Sequence, residues 1–134
     1  MSVPVGTPLP RLAIPIDRLL ILSGAIASQD FEDVHRDPDA ARARGAQDIF
    51  MSINSTNGLI DRFVTEWAGP AARLRSVSLR LGVPLFPGDT LVLTGEVVDV
   101  DDDDTVTVRV SGTHERGTHV AATVRLTLSN GVTA

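Results

Sequence analysis

The stretch from Gln29 to Gly45 crowds five carboxylates (Asp30, Glu32, Asp33, Asp37 and Asp39) around His35, one of three histidines in the chain. A carboxylate and an imidazole converging on one water can hold it, take a proton from it and deliver a proton elsewhere. Each such group typically speeds a reaction about 10²–10⁴-fold. Histidine suits the task because its ordinary pKa of about 6.5 lies close to neutrality. Asp30 and His35, spaced D-x4-H, are the candidates for that pair. The same spacing also describes a carboxylate capping a helix and a loop imidazole bonded to backbone, and spacing alone does not choose between them.

Two other clusters invite metal chemistry. Asp101 to Asp104 are consecutive aspartates set between two alternating apolar stretches. They lack the glycine and distal glutamate of an EF-hand loop and read as a solvated hairpin turn. His114 and His119 flank Gly117 in a second hairpin, but the chain has no cysteine and no further histidine nearby to complete a zinc site. No metal is expected.

The frame that must position the pair is small. The 134 residues, 43% hydrophobic and 22% charged, suit a single globular domain over 1–134. All 12 basic residues are arginine, which excludes Schiff-base chemistry, and the net charge of −5 disfavours nucleic acid. The N-terminus lacks a basic start followed by a long apolar run, and the longest apolar run, Leu19 to Leu22, is far short of the roughly 18 residues of a membrane span. The expectation is a cytoplasmic protein without a membrane partner.

Four prolines (Pro4, Pro8, Pro10 and Pro15) make residues 1–15 an extended arm or strand. Leu19, Leu22, Ala25 and Ile26 have helical spacing within 16–28. Asp37 and Pro38 open a short helix that stops at Gly45. Ile49, Ile53, Ile60, Phe63, Val64 and Trp67 predict one long, largely buried helix over 49–67, ended by Gly69 and Pro70. Gly58 inside it suggests a close approach by backbone or ligand. After Pro70 the period becomes two, in four runs around Val77–Val83, Leu91–Val97, Val106–Val110 and Val120–Leu128, which predicts an antiparallel meander. The fold class is α+β, with the sheet wrapped around the long helix.

The order of these motifs resembles the MaoC-like enoyl-CoA hydratases of the hotdog fold. It reads Asp30, His35, Asp37, Ala41 and Gly45, then "VTEWAG" (64–69), "VPLFPGDTL" (83–91) and "GEVV" (95–98), and covers nearly the whole chain. The run "RDPDAARARGAQDIF" with "GLIDRFVTEWAGP" is closer still to the small subunits of actinobacterial steroid side-chain hydratases. The resemblance implies hydration of the double bond of a 2-enoyl-CoA with Asp30 and His35 as the catalytic pair. CoA would be part of the substrate, with no separate cofactor. It also implies that the thioester oxyanion meets backbone N–H groups at Met51 to Ile53, with Ser52 and Ile53 as the donors at the positive end of the long helix. The chain departs from the family at Glu32 and Asp33, where Asn and Pro are usual. Met51 and Ser52 replace His-Gly, so a side chain stands at Ser52 in place of glycine.

A lone hotdog leaves a sheet edge unpaired and a half-open ligand tunnel, so the sheet is expected to be completed by a second hotdog. The resemblance implies that this is a larger MaoC-like subunit in a hetero-oligomer. That subunit would carry an aldolase-binding domain and, through it, a lipid-transfer-protein-like aldolase. Arg73, Arg75 and Arg80 are candidates for the CoA phosphates.

Overall fold

The computed structural model describes residues 3–128; the first two residues of the expected arm lie outside them. Strand β1 (Pro8–Pro15) leads into helix α1 (Arg18–Ala27), a single 3₁₀ turn (Asp33–His35), helix α2 (Pro38–Ala43) and the long helix α3 (Ile53–Ala68). Strands β2 (Arg73–Leu81), β3 (Thr90–Val100), β4 (Thr105–His114) and β5 (Gly117–Thr127) follow. The five strands form one antiparallel sheet in the order β1-β3-β4-β5-β2.

The period-two residues make the inner face. Val97, Val108, Val124 and Val77 lie in one row across four strands, and the first three are fully buried. Ile60, Phe63 and Val64 of α3 join them in the core. Gly95, in the next row, lets the helix sit close: a Cβ there would stand 3.0 Å from the Phe63 ring. Removing a buried side chain such as Ile60 would cost about 2–5 kcal/mol through lost burial and the cavity left behind. A sheet wrapped on one buried helix is thus a direct consequence of where the apolar side chains fall. No helix among the described residues is long and apolar enough to cross a membrane.

Two expectations need correction. The long helix begins at Ile53, not at Ile49. Ile49 and Met51 are buried as extended chain, and the Met51 N–H donates to the Leu85 carbonyl at 3.1 Å rather than to a helical partner. Gly58 has open space where a Cβ would stand, so no backbone among the described residues approaches it closely. The close contact is elsewhere: a Cβ at Gly24 would lie 2.4 Å from Ser55 Oγ, so glycine is what lets α1 rest on α3.

The sheet's two edges differ. β1 carries Pro8, Pro10 and Pro15, none of which has an N–H to offer, and its register with β3 shifts between Leu9 and Leu12. β2, without proline, pairs with β5 and has no strand on its other side among the described residues.

Candidate active site

Helix α1 starts at Asp17, whose carboxylate accepts the Leu20 N–H at 2.7 Å, and ends in a Schellman turn. The Gln29 N–H donates to the Ile26 carbonyl (3.0 Å) and the Asp30 N–H to the Ala25 carbonyl (2.8 Å). Gln29 itself takes the left-handed conformation, φ 57°, which side chains other than glycine adopt at a cost. This turn places Asp30. Its Oδ1 accepts the Glu32 N–H at 3.4 Å, and its Oδ2 faces His35.

His35 closes the 3₁₀ turn and is only 7% exposed. Its Nδ1 lies 2.7 Å from the Phe50 carbonyl, and the two rings meet edge to face at 5.1 Å. A carbonyl can only accept, so Nδ1 carries the hydrogen and Nε2 of the neutral ring presents a lone pair. That lone pair stands 3.7 Å from Asp30 Oδ2. Two acceptors at this distance do not bond each other, but one water donating a hydrogen to each would satisfy both. The Asp30 side chain is 17% exposed, so the pair opens to solvent only narrowly.

Two further contacts brace this corner. The Phe50 N–H reaches the Val34 carbonyl at 3.3 Å. Arg18 grips Asp48 through two hydrogen bonds of 3.0 and 2.6 Å, tying the start of α1 to the segment that carries Phe50. The Arg18 hydrogen bond holds the Asp48 carboxyl below the usual carboxylate range.

Three of the other acidic residues of the stretch have structural roles, whereas Glu32 precedes the 3₁₀ turn without a side-chain capping bond. Asp37 caps α2 by accepting the N–H groups of Asp39 (3.0 Å) and Ala40 (3.4 Å). Asp39 pairs with Arg42 at 3.1 Å and Asp33 with Arg44 at 3.4 Å. Ser52 is the N-cap of α3, with its hydroxyl accepting from the Ser55 N–H at 3.2 Å and meeting Ser55 Oγ at 3.1 Å. The side chain that replaces glycine is therefore folded onto the helix. Ile53 begins the first turn, whose N–H groups have no acceptor within the helix. Of the expected donors, Met51 is removed, because its N–H is already used by Leu85.

The arginines do not gather at the pair. Arg73 and Arg75 line a shallow groove with Pro70, Asp103, Asp104 and Thr127, at the end of β2 where α3 finishes. Arg80 lies near the other end of β2, beside Arg109 and Thr123. All three are exposed. The two remaining histidines both point at one carbonyl, Val83, from 2.8 Å (His119) and 3.4 Å (His114). Among the described residues no group of three or more metal-binding side chains comes together. Asp101 closes the β3–β4 turn by accepting the N–H groups of Asp103 and Thr105.

Two contributors had no local signal in the sequence. Phe50 acts through its backbone carbonyl, which any residue supplies, and it lies 15 positions from His35. Gln29 carries a conformation that would be legible only had it been glycine or asparagine.

The chain is similar to known proteins over nearly its whole length. A family model described as MaoC like domain matches residues 3–120. The chain is 48% identical over 124 residues to the 3-oxo-4,17-pregnadiene-20-carboxyl-CoA hydratase beta subunit of Mycobacterium tuberculosis, covering 92% of this chain and 95% of the relative. It superposes on a chain of the crystal structure of the ChsH1-ChsH2 complex from the same organism with a TM-score of 0.93 and 47% identity, over 96% of this chain and 100% of the other. It also superposes on the (R)-hydratase from A. caviae involved in PHA biosynthesis, with a TM-score of 0.87 and 21% identity over 96% and 98% of the two chains. At that identity the likeness speaks for fold alone.

Proposed function

The chain belongs to the MaoC-like domain family, and from that premise we propose that it is the water-activating subunit of a hydratase acting on a steroid side-chain enoyl-CoA. The observation that carries this reading is the apposition of His35 Nε2 and Asp30 Oδ2 at 3.7 Å, with Nδ1 fixed by Phe50. In an α,β-unsaturated thioester, conjugation makes the β-carbon electrophilic, and attack there drives charge onto the thioester oxygen. A water held by both acceptors loses one proton to the pair as its oxygen bonds the β-carbon. The pair then returns a proton to the α-carbon, so that one water is added and the site is restored. Asp30 and His35 act as one unit, because both would face the same water. The backbone N–H groups of Ser52 and Ile53, at the positive end of α3, are the donors for the transient oxyanion.

The substrate class follows from the relative that is named as a hydratase of a pregnadiene-carboxyl-CoA. Two large apolar side chains are exposed, Phe31 (62%) directly after Asp30 in the chain and Ile53 (49%) at the start of α3. Each offers apolar surface that a bulky ring system could cover. Hydration would leave a tertiary hydroxyl β to the thioester, the group a retro-aldol cleavage consumes. The reading assigns that step to an aldolase brought by a larger MaoC-like partner. The partner would complete the sheet along β2, and its surface would carry most of the CoA contacts. Arg80 stands at the end of β2 that leads into the loop bonded to Met51, whereas Arg73 and Arg75 stand where α3 finishes, so Arg80 is the arginine this reading assigns to the phosphates.

The test is co-purification with the larger subunit, followed by mass measurement of the product. Gain of one water by a steroid enoyl-CoA, in preference to a straight-chain one, is the expected result. Release of free CoA instead would identify a thioesterase and overturn the reading.

A further inference from the structure

The loop between β2 and β3 is bonded on one side to the β4–β5 hairpin and on the other to the segment that holds His35. Its Pro84 carbonyl accepts from the Arg116 guanidinium at 3.1 Å, and its Leu85 carbonyl accepts the Met51 N–H at 3.1 Å. The Asp89 carboxylate accepts the Phe86 N–H at 2.7 Å and also pairs with Arg116. The guanidinium carbon of Arg116 sits 4.8 Å over the Phe86 ring. Phe86 in turn meets Phe50 edge to face, with centroids 6.4 Å apart, and Phe50 meets His35 in the same way while its carbonyl holds Nδ1.

We propose that Arg116, from the tip of the last hairpin, is a positioning residue for His35, acting through Phe86 and Phe50. Its guanidinium does three things at once: it neutralises Asp89, holds the Pro84 carbonyl and sits over the face of Phe86. A planar cation with several donors fits all three roles, whereas an apolar side chain fits none of the polar ones. With Arg116 in place, Phe86 has one orientation, Phe50 is wedged against it, and the Phe50 carbonyl stays where Nδ1–H needs it. Without it, Asp89 loses its counter-charge and Phe86 its cap. The Phe50 carbonyl can then drift, and His35 is no longer confined to the tautomer whose Nε2 lone pair faces Asp30. Misplacement of a reacting group by a fraction of an ångström is felt in turnover before it is felt in binding.

The inference rests on the hydratase reading, so its test uses two separate readouts. In the complex reassembled with the larger subunit, R116M should lower kcat about tenfold and leave KM within about twofold. R116K, which keeps a cation over Phe86 and beside Asp89, should stay within about threefold of wild type. With ¹⁵N-histidine in this chain only, the imidazole signals of His35 should report one tautomer in wild type and a mixture in R116M. F86L serves in the same way should R116M fail to assemble. Wild-type kcat and wild-type His35 signals in R116M would overturn the proposal, as would a rise in KM alone, which would make Arg116 a substrate contact. H35A run in parallel separates the two ideas. Full turnover in H35A removes the hydratase reading, while the tautomer signals still judge the clamp.

Discussion

His35 Nε2 faces Asp30 Oδ2 across 3.7 Å, a gap too wide for a direct hydrogen bond and matched to one water shared between two acceptors. The imidazole cannot turn away, because its other nitrogen is tied at 2.7 Å to the Phe50 carbonyl. Asp30→Asn and His35→Ala should each reduce hydration in the assembled complex by about 10²–10⁴-fold with assembly retained, and His35→Ala should also lose about 1–3 kcal/mol of stability because it leaves the Phe50 carbonyl without its partner. Retention of turnover in both variants would mean that the chain only completes its partner's site, and the double variant would then support wild-type rates.

The carboxylate is aimed by strain next to it. Gln29 at φ 57° carries roughly 1–2 kcal/mol of conformational cost, and glycine would remove it while adding roughly 0.5–1 kcal/mol of unfolded-state entropy. Gln29→Gly should therefore raise stability in urea denaturation by no more than about 1 kcal/mol. Gln29→Val, branched where the left-handed region is least tolerant, should lower stability by about 1–2 kcal/mol and turnover with it. Equal stability of the valine and glycine variants would show that the turn is not held in this conformation.

Assembly should depend on β2. A proline at whichever of Val77 and Ser78 directs its N–H away from β5 removes a donor from the open edge and leaves the β2–β5 pairing intact. Such a variant should stay folded by circular dichroism and fail to co-purify with the larger subunit. An equivalent proline in β1, which already contains three, should leave co-purification unchanged. Loss of assembly from the β1 variant alone would place the interface on the other side of the sheet.

His119 should give the fold a pH-dependent component. It is 1% exposed, with Nδ1–H bonded to the Val83 carbonyl and Nε2 accepting from the Thr56 hydroxyl at 2.8 Å. Burial, the largest influence, and the neighbouring His114 hold its pKa below the ordinary value, against opposing pulls from the Val83 carbonyl and Asp89. The unfolded chain therefore takes up the proton first, at a pKa of about 6.5. The contribution is complete above that pH and is lost as pH falls from there through the lower folded value. Urea melts across this range should show stability falling towards acid, and His119→Gln should flatten that slope. An unchanged slope in the variant would assign the acid sensitivity to other groups.

The sequence carried its local structure openly and its long-range structure poorly. Alternation marked the four C-terminal strands, Asp37 and Pro38 marked α2, and the five-residue step from Asp30 to His35 singled out two side chains that the fold brings within 3.7 Å of each other. The start of α3 was misread because Ile49 and Met51 extend the apolar pattern of the helix although they are buried as extended chain. Their burial and the Met51–Leu85 bond depend on a loop more than thirty residues away, which no window of sequence contains. The same limit hid the Thr56–His119 bond, 63 positions apart, and the Arg116–Asp89 pair, 27 apart. The arginines show the same limit in another way. In sequence Arg73, Arg75 and Arg80 fall together, and only the strand's extent shows that Arg73 and Arg80 stand near opposite ends of it.

The prolines of β1 have one more effect. A sheet whose two sides both accept strands can go on growing, one molecule after another, as fibres do. Here three of the eight residues on one side have no N–H to donate, which makes β1 the poorer template for a further strand and leaves β2 the favoured side for joining. The proline-rich beginning of the molecule thereby discourages growth from one margin while the opposite one stays open.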